Sequence, residues 1–117
     1  MAGKIPYIDK EALIRAELVN LAKAVPLKTV TYGDFGSRVG IPGRGPWKAI
    51  LDHIGLGEVQ RGLPDVTFLV VNKRTGYPSQ IGFKIAKPPS ADQKARAHAE
   101  GQRIAAKYNP GSINPFP

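Results

Sequence analysis

Cysteine is absent from the 117 residues, which removes disulfide frameworks, thiolate zinc sites and cysteine nucleophiles from consideration. Two histidines leave little material for a metal site, and no cofactor is expected. No apolar run approaches the roughly eighteen residues of a membrane span, and the N-terminus lacks the basic-then-apolar pattern of a signal peptide. The expected location is therefore cytoplasmic, with no membrane partner. Acidic residues are also scarce: 9 against 17 basic ones, a formal charge of +8. Such an excess on a small surface concentrates polyanions, so nucleic acid is the first partner to consider.

At 42% hydrophobic residues, the chain fits one domain with one core. We expect that domain over residues 1–109, with residues 110–117 as a flexible or docked tail. Asp9 is placed to cap a helix starting at Lys10, with Leu13, Ile14, Leu18, Leu21, Ala22 and Val25 recurring at helical spacing until Pro26. Thr31 followed by Asp34 marks a short helix ending at Gly40. Pro46 opens another, whose apolar face is Trp47, Ile50, Leu51 and Ile54. The segment "GLGEVQRGLPD" reads as a glycine-rich connection into a strand, "VTFLVV". Beyond the turn "NKRTG", "QIGFKI" reads as its returning partner. Ser90 and Gln93 form the spacing of a capping box for a helix to about Tyr108. Its Lys94, Arg96, Arg103 and Lys107 are expected on a solvated face. The sum is an α+β domain of winged-helix character, a helical segment with a short antiparallel sheet and a C-terminal helix, carrying Lys73 and Arg74 at the wing tip.

Catalytic groups do not converge. Asp52 and His53 are adjacent, and neighbours on a helix point about 100° apart, so they do not make a base and its orienting partner. The expectation is a binding module and not an enzyme. Arg44 lies just ahead of a helix N-terminus that favours anions, and Lys48 sits in the first turn, where its charge opposes the helix dipole. Arg44 reads equally as a phosphate ligand or an ordinary loop residue. By itself, Gly76-Tyr77-Pro78 is accounted for structurally: a positive φ, a buried ring and a stiff edge.

The order of motifs adds to this. "VTYGDFGSRVGIPGRGPWKAILDHI", followed after a spacer by "GLPDVTFLVVNKRTGYPSQIGF", resembles the sulfur-binding domain of phosphorothioate-dependent restriction endonucleases over about Thr29 to Phe83. The first segment also looks, more loosely, like the DNA-binding domain of alkylguanine transferases and alkyltransferase-like proteins, without their Pro-Cys-His-Arg type motif. The first resemblance implies recognition of double-stranded DNA in which sulfur replaces a non-bridging phosphate oxygen. It assigns the sulfur recess to Tyr77, Pro78 and Ile81 with Arg44 beside it, and a phosphate hydrogen bond to Ser79. Gly43, Lys48, Lys73, Arg74, Thr75 and Gln80 complete the expected DNA-facing set. Gly43 stands where the family commonly has histidine, and Ile81 where alanine is usual. Cleavage would then belong to a fused or separate nuclease domain. The alternative is a winged-helix DNA binder without sulfur selectivity, akin to an alkyltransferase-like binder or a regulator.

Overall fold

The computed structural model describes residues 5–78 and 89–116. Ser79, Gln80, Ile81 and the whole of the expected return strand lie outside them. Four α-helices and one two-stranded sheet make up the described residues, with two short 3₁₀ segments. None of these helices is long and apolar enough to cross a membrane.

Helix α1 (Glu11–Lys23) buries Ile14, Leu18, Leu21 and Ala22, the helical stripe expected, while Leu13 is half exposed and Val25 lies beyond the helix. Asp9 is not its cap: a 3₁₀ turn, Ile8–Lys10, precedes the helix, and Lys10 occupies the N-cap without a side-chain bond. Lys10 instead sends its Nζ 3.0 Å to the Val39 carbonyl, at the C-terminal end of α2 (Tyr32–Val39), where a cation meets the negative pole of the helix. Helix α2 starts and stops as its sequence dictates. The Thr31 hydroxyl accepts from the Asp34 amide at 3.3 Å, and Gly40 terminates it at a φ of 74°.

Helix α3 (Trp47–Gln60) buries Trp47, Ile50, Leu51 and Ile54 and then continues through Gly55 and Gly57, where the sequence suggested a loop. Two contacts with distant residues explain the extension. A Cβ on Gly55 would lie 2.6 Å from an Asp65 carboxylate oxygen, so the absent side chain lets Asp65 pack on the helix. Glu58, 1% exposed, takes a two-pronged bond from Arg15 of α1 at 2.9 and 3.1 Å, and Arg61 adds a third at 3.0 Å.

The expected strand over Val66 to Val71 is corrected in its first four residues, where Val66–Leu69 form a 3₁₀ helix packed against α1, α3 and α4. Asp65 caps this turn by accepting from the Thr67 amide at 3.0 Å and from the Thr67 hydroxyl. All four residues are buried, so β-branched composition carried no information about which face was inside. Only Val70–Val71 (β2) are extended. They pair with Val30–Thr31 (β1) in parallel, Val30 opposite Val70 and Thr31 opposite Val71, a pairing the sequence did not suggest; the antiparallel partner expected in "QIGFKI" lies outside the described residues.

Helix α4 (Ala91–Tyr108) begins with the full capping box, Ser90 with Gln93, and buries Ala97, Gly101, Ile104 and Ala105. The segment after it is docked. Asn109 donates to the Ala24 carbonyl at 2.5 Å, Asn114 donates to the His98 carbonyl at 2.8 Å, and Phe116 is 2% exposed.

Two tests follow from the polar contacts inside this core. Arg15→Met should lower stability by about 1.5–3 kcal/mol, since it leaves the buried Glu58 carboxylate to Arg61 alone. The expected reading is a lower urea midpoint at constant slope. Asp65 has its carboxyl raised above the usual 3.8, chiefly by burial, with the Thr67 hydrogen bonds opposing and Glu100 and Asp52 adding to the rise. A raised folded-state value means that this group's stabilisation is full at low pH and is lost as pH climbs from about 4 through that value. Asp65→Asn should therefore gain on the wild type in melting temperature between pH 4 and 7; a constant gap contradicts this assignment.

Candidate nucleic-acid interface

The β1–β2 pair sets up the candidate site. Because the two strands run the same way, both chains leave the pair at the same end. One enters the first turn of α2 and the other enters the basic turn Asn72 to Tyr77. That turn is closed by its own backbone. The Asn72 amide donates to the Tyr77 carbonyl at 3.0 Å and the Gly76 amide to the Asn72 carbonyl at 2.8 Å, with Gly76 at a φ of 73°. The Asn72 side chain accepts from the Arg74 amide at 2.8 Å. The Thr75 hydroxyl is occupied within the turn, accepting from the Tyr77 amide at 3.1 Å and donating to its carbonyl at 3.3 Å.

A third wall comes from the loop between α2 and α3. The Gly45 amide donates to the Pro42 carbonyl at 2.8 Å, which puts Gly43 and Arg44 at the apex of a turn. Buried Ile41 anchors one side of this loop and buried Trp47 the other. Gly43 then presses against the first turn of α2: a Cβ on it would lie 2.8 Å from the Gly33 Cα and 3.2 Å from the Gly33 nitrogen. The close approach explains a glycine at this position, since any side chain would push the Arg44 loop away from the helix.

These three segments enclose an open cleft of about 820 Å³, lined by Thr31 to Asp34, by Gly43 and Arg44, and by Asn72, Lys73 and Arg74. Arg44, Lys73 and Arg74 are exposed. Asp34 is the one carboxylate among the described residues that line the cleft, leaving a local excess of two positive charges. The first turn of α2 adds the positive end of its helix dipole. The cleft thus presents exposed cations and a helix N-terminus on one face, a chemistry complementary to an anion.

Of the residues singled out in the sequence, Gly43, Arg44, Lys73 and Arg74 come together here. Lys48 does not: its Nζ lies 2.6 Å from Asp52 one helical turn on, so a carboxylate within α3 answers the charge that seemed to call for an anion. Tyr77 and Pro78 are buried and are not among the described residues lining the cleft. The Tyr77 ring stacks on Phe116, centroids 5.7 Å apart and planes within 18°, and keeps 7% of its surface exposed. Sequence reasoning missed Tyr32, Asp34 and Asn72 as cleft residues. The position of Asn72 directly before "KRTG", a place suited to an Asx turn, was the available signal. The histidines serve elsewhere, His53 beside Glu11 at 3.2 Å and His98 at the tail. Among the described residues, no group of three or more His, Asp or Glu is arranged to hold a metal ion.

No family model, no curated protein and no solved structure matches the chain. A functional reading therefore stands on the cleft and on the motifs quoted above.

The two glycines that meet in the cleft should behave oppositely. Gly43→Ala must displace the Arg44 loop and should cost about 1–3 kcal/mol, as overpacking does. Gly33→Ala has open space around the new Cβ and should be neutral or stabilising by up to about 1 kcal/mol, as expected for alanine in a helix. Thermal melts of the two variants check this.

Proposed function

We propose that this chain is a non-catalytic reader of double-stranded DNA carrying a phosphorothioate linkage. The observation that carries the proposal is the convergence of Arg44 with Lys73 and Arg74, from distant parts of the sequence, on one open cleft at the shared exit of β1 and β2. In this reading the backbone anion lies in the cleft. Arg44 offers its planar fork to the phosphate, and Lys73 and Arg74 hold flanking phosphates from the turn. In winged-helix terms α2 and α3 form the helix pair, and the Asn72 to Tyr77 turn is the wing tip. Sulfur keeps the negative charge of the oxygen it replaces but is larger and less well hydrated, so a selective site needs an apolar corner beside its cations. The resemblance assigns that corner to Tyr77, Pro78 and Ile81, with Ser79 on the phosphate. Cleavage belongs to another domain or protein, and a DNA ligand accords with a cytoplasmic location.

A second reading has a specific observation in its favour. Because Tyr77 is stacked and almost wholly buried, its ring is already accounted for as core. A DNA binder without sulfur selectivity would use the same three cations and leave the corner as scaffold.

Matched duplexes separate the two. Binding to plain DNA, to each phosphorothioate diastereomer and to RNA should be measured over a salt series in several sequence contexts. The proposal expects tighter binding to one phosphorothioate diastereomer; equal affinity for plain and sulfur-bearing DNA in every context contradicts it. In the same assay, the double change Lys73→Ala with Arg74→Ala should weaken binding to all DNA and reduce the salt slope by about 2, roughly 0.9 for each phosphate no longer neutralised.

A further inference from the structure

We infer that Phe116, in the segment after α4, is a positioning residue for sulfur recognition: it fixes the Tyr77 ring and so sets the preference for phosphorothioate over plain DNA. The inference rests on the phosphorothioate reading and adds a residue that neither the motif nor the cleft contains.

The chain that brings Phe116 to Tyr77 is held at several points. Ser112 closes a turn on Asn109, its amide 3.1 Å from the Asn109 carbonyl and its hydroxyl 2.6 Å from Asn109 Oδ1. Asn114 then bridges tail and helix, donating to the His98 carbonyl at 2.8 Å and accepting from the Phe116 amide at 3.0 Å. Gly101 supplies the space. A Cβ there would collide with the Asn114 side chain and lie 2.9 Å from a Phe116 ring carbon. Phe116 is consequently 2% exposed and stacks against Tyr77. By contrast Ile113, in the same segment, is 88% exposed and serves as an internal control.

The physical consequence differs between the two kinds of contact the reading invokes. Lys73 and Arg74 reach phosphate through several rotatable bonds and tolerate a small displacement of their turn. An apolar recess around one atom does not, because dispersion contacts are forfeited over fractions of an ångström. Loosening the ring of Tyr77 should therefore erase sulfur preference and leave the salt slope unchanged, a pattern that general destabilisation does not produce.

The test measures binding of wild type, Phe116→Leu, Phe116→Tyr, Gly101→Ala and Ile113→Ala to a matched pair of plain and phosphorothioate duplexes. It covers a salt series at a temperature where circular dichroism shows each chain folded. Phe116→Leu keeps an apolar side chain but no ring to stack, and Gly101→Ala dislodges the tail without replacing Phe116 or Tyr77 themselves. Both should lose at least about tenfold of the sulfur preference with the salt slope held, while Phe116→Tyr restores it and Ile113→Ala behaves as wild type. Preference retained in both Phe116→Leu and Gly101→Ala overturns the positioning role and leaves the phosphorothioate reading intact. Preference increased in either overturns it as well, since the tail would then be covering the corner. A wild-type chain with no preference overturns the reading itself.

Discussion

Two residue pairs, Val30 with Val70 and Thr31 with Val71, decide where the cations of the candidate cleft end up. A parallel pair has no hairpin and depends on the elements around it, here the 3₁₀ segment Val66–Leu69 seated among α1, α3 and α4. Its value lies in direction. Antiparallel strands would send α2 and the basic turn to opposite ends; parallel strands release both at one end. The positive pole of α2 and the Lys73-Arg74 pair thus face a common space that the Gly43-Arg44 loop then closes.

The interior that supports this pairing contains charge as well as apolar side chains. Glu58 is nearly inaccessible and is matched by Arg15 and Arg61, which joins α1 to the far end of α3. Asp65 is partly buried, packs against Gly55 of α3 and caps the turn that leads into β2. Each of these contacts holds an element that delivers a wall of the cleft. The cations of the cleft itself remain in solvent, which suits weak contacts made and broken along a polyanion better than a single deep site.

Much of the helical frame was legible because its signals are local. Thr31 with Asp34, Gly40 as terminator, the Trp47 to Ile54 face and the Ser90-Gln93 box all act within one or two turns of their own helix. The features that were not legible depend on partners far along the chain. Gly55 looked like a loop residue because Asp65, which uses its missing side chain, folds back from the next segment. Val66 to Leu69 looked like a strand because a run buried on every side has no alternation to read. In the candidate site, Arg44 and Lys73-Arg74 were conspicuous as residues, and only the parallel pairing brings them together. Phe116 was invisible as a partner of Tyr77, because nothing near either residue announces a stack between them.

The most direct measurement of the central claim, that the cleft between the α2 start, the Arg44 loop and the basic turn receives the DNA backbone, is an amide-resolved NMR titration with a short phosphorothioate duplex. The account predicts that the largest shift changes fall on Gly33, Gly43, Arg44, Lys73 and Arg74, with the exposed face of α4 around Lys94 and Lys107 little affected. Changes concentrated on α4, with the cleft amides unmoved, would contradict it.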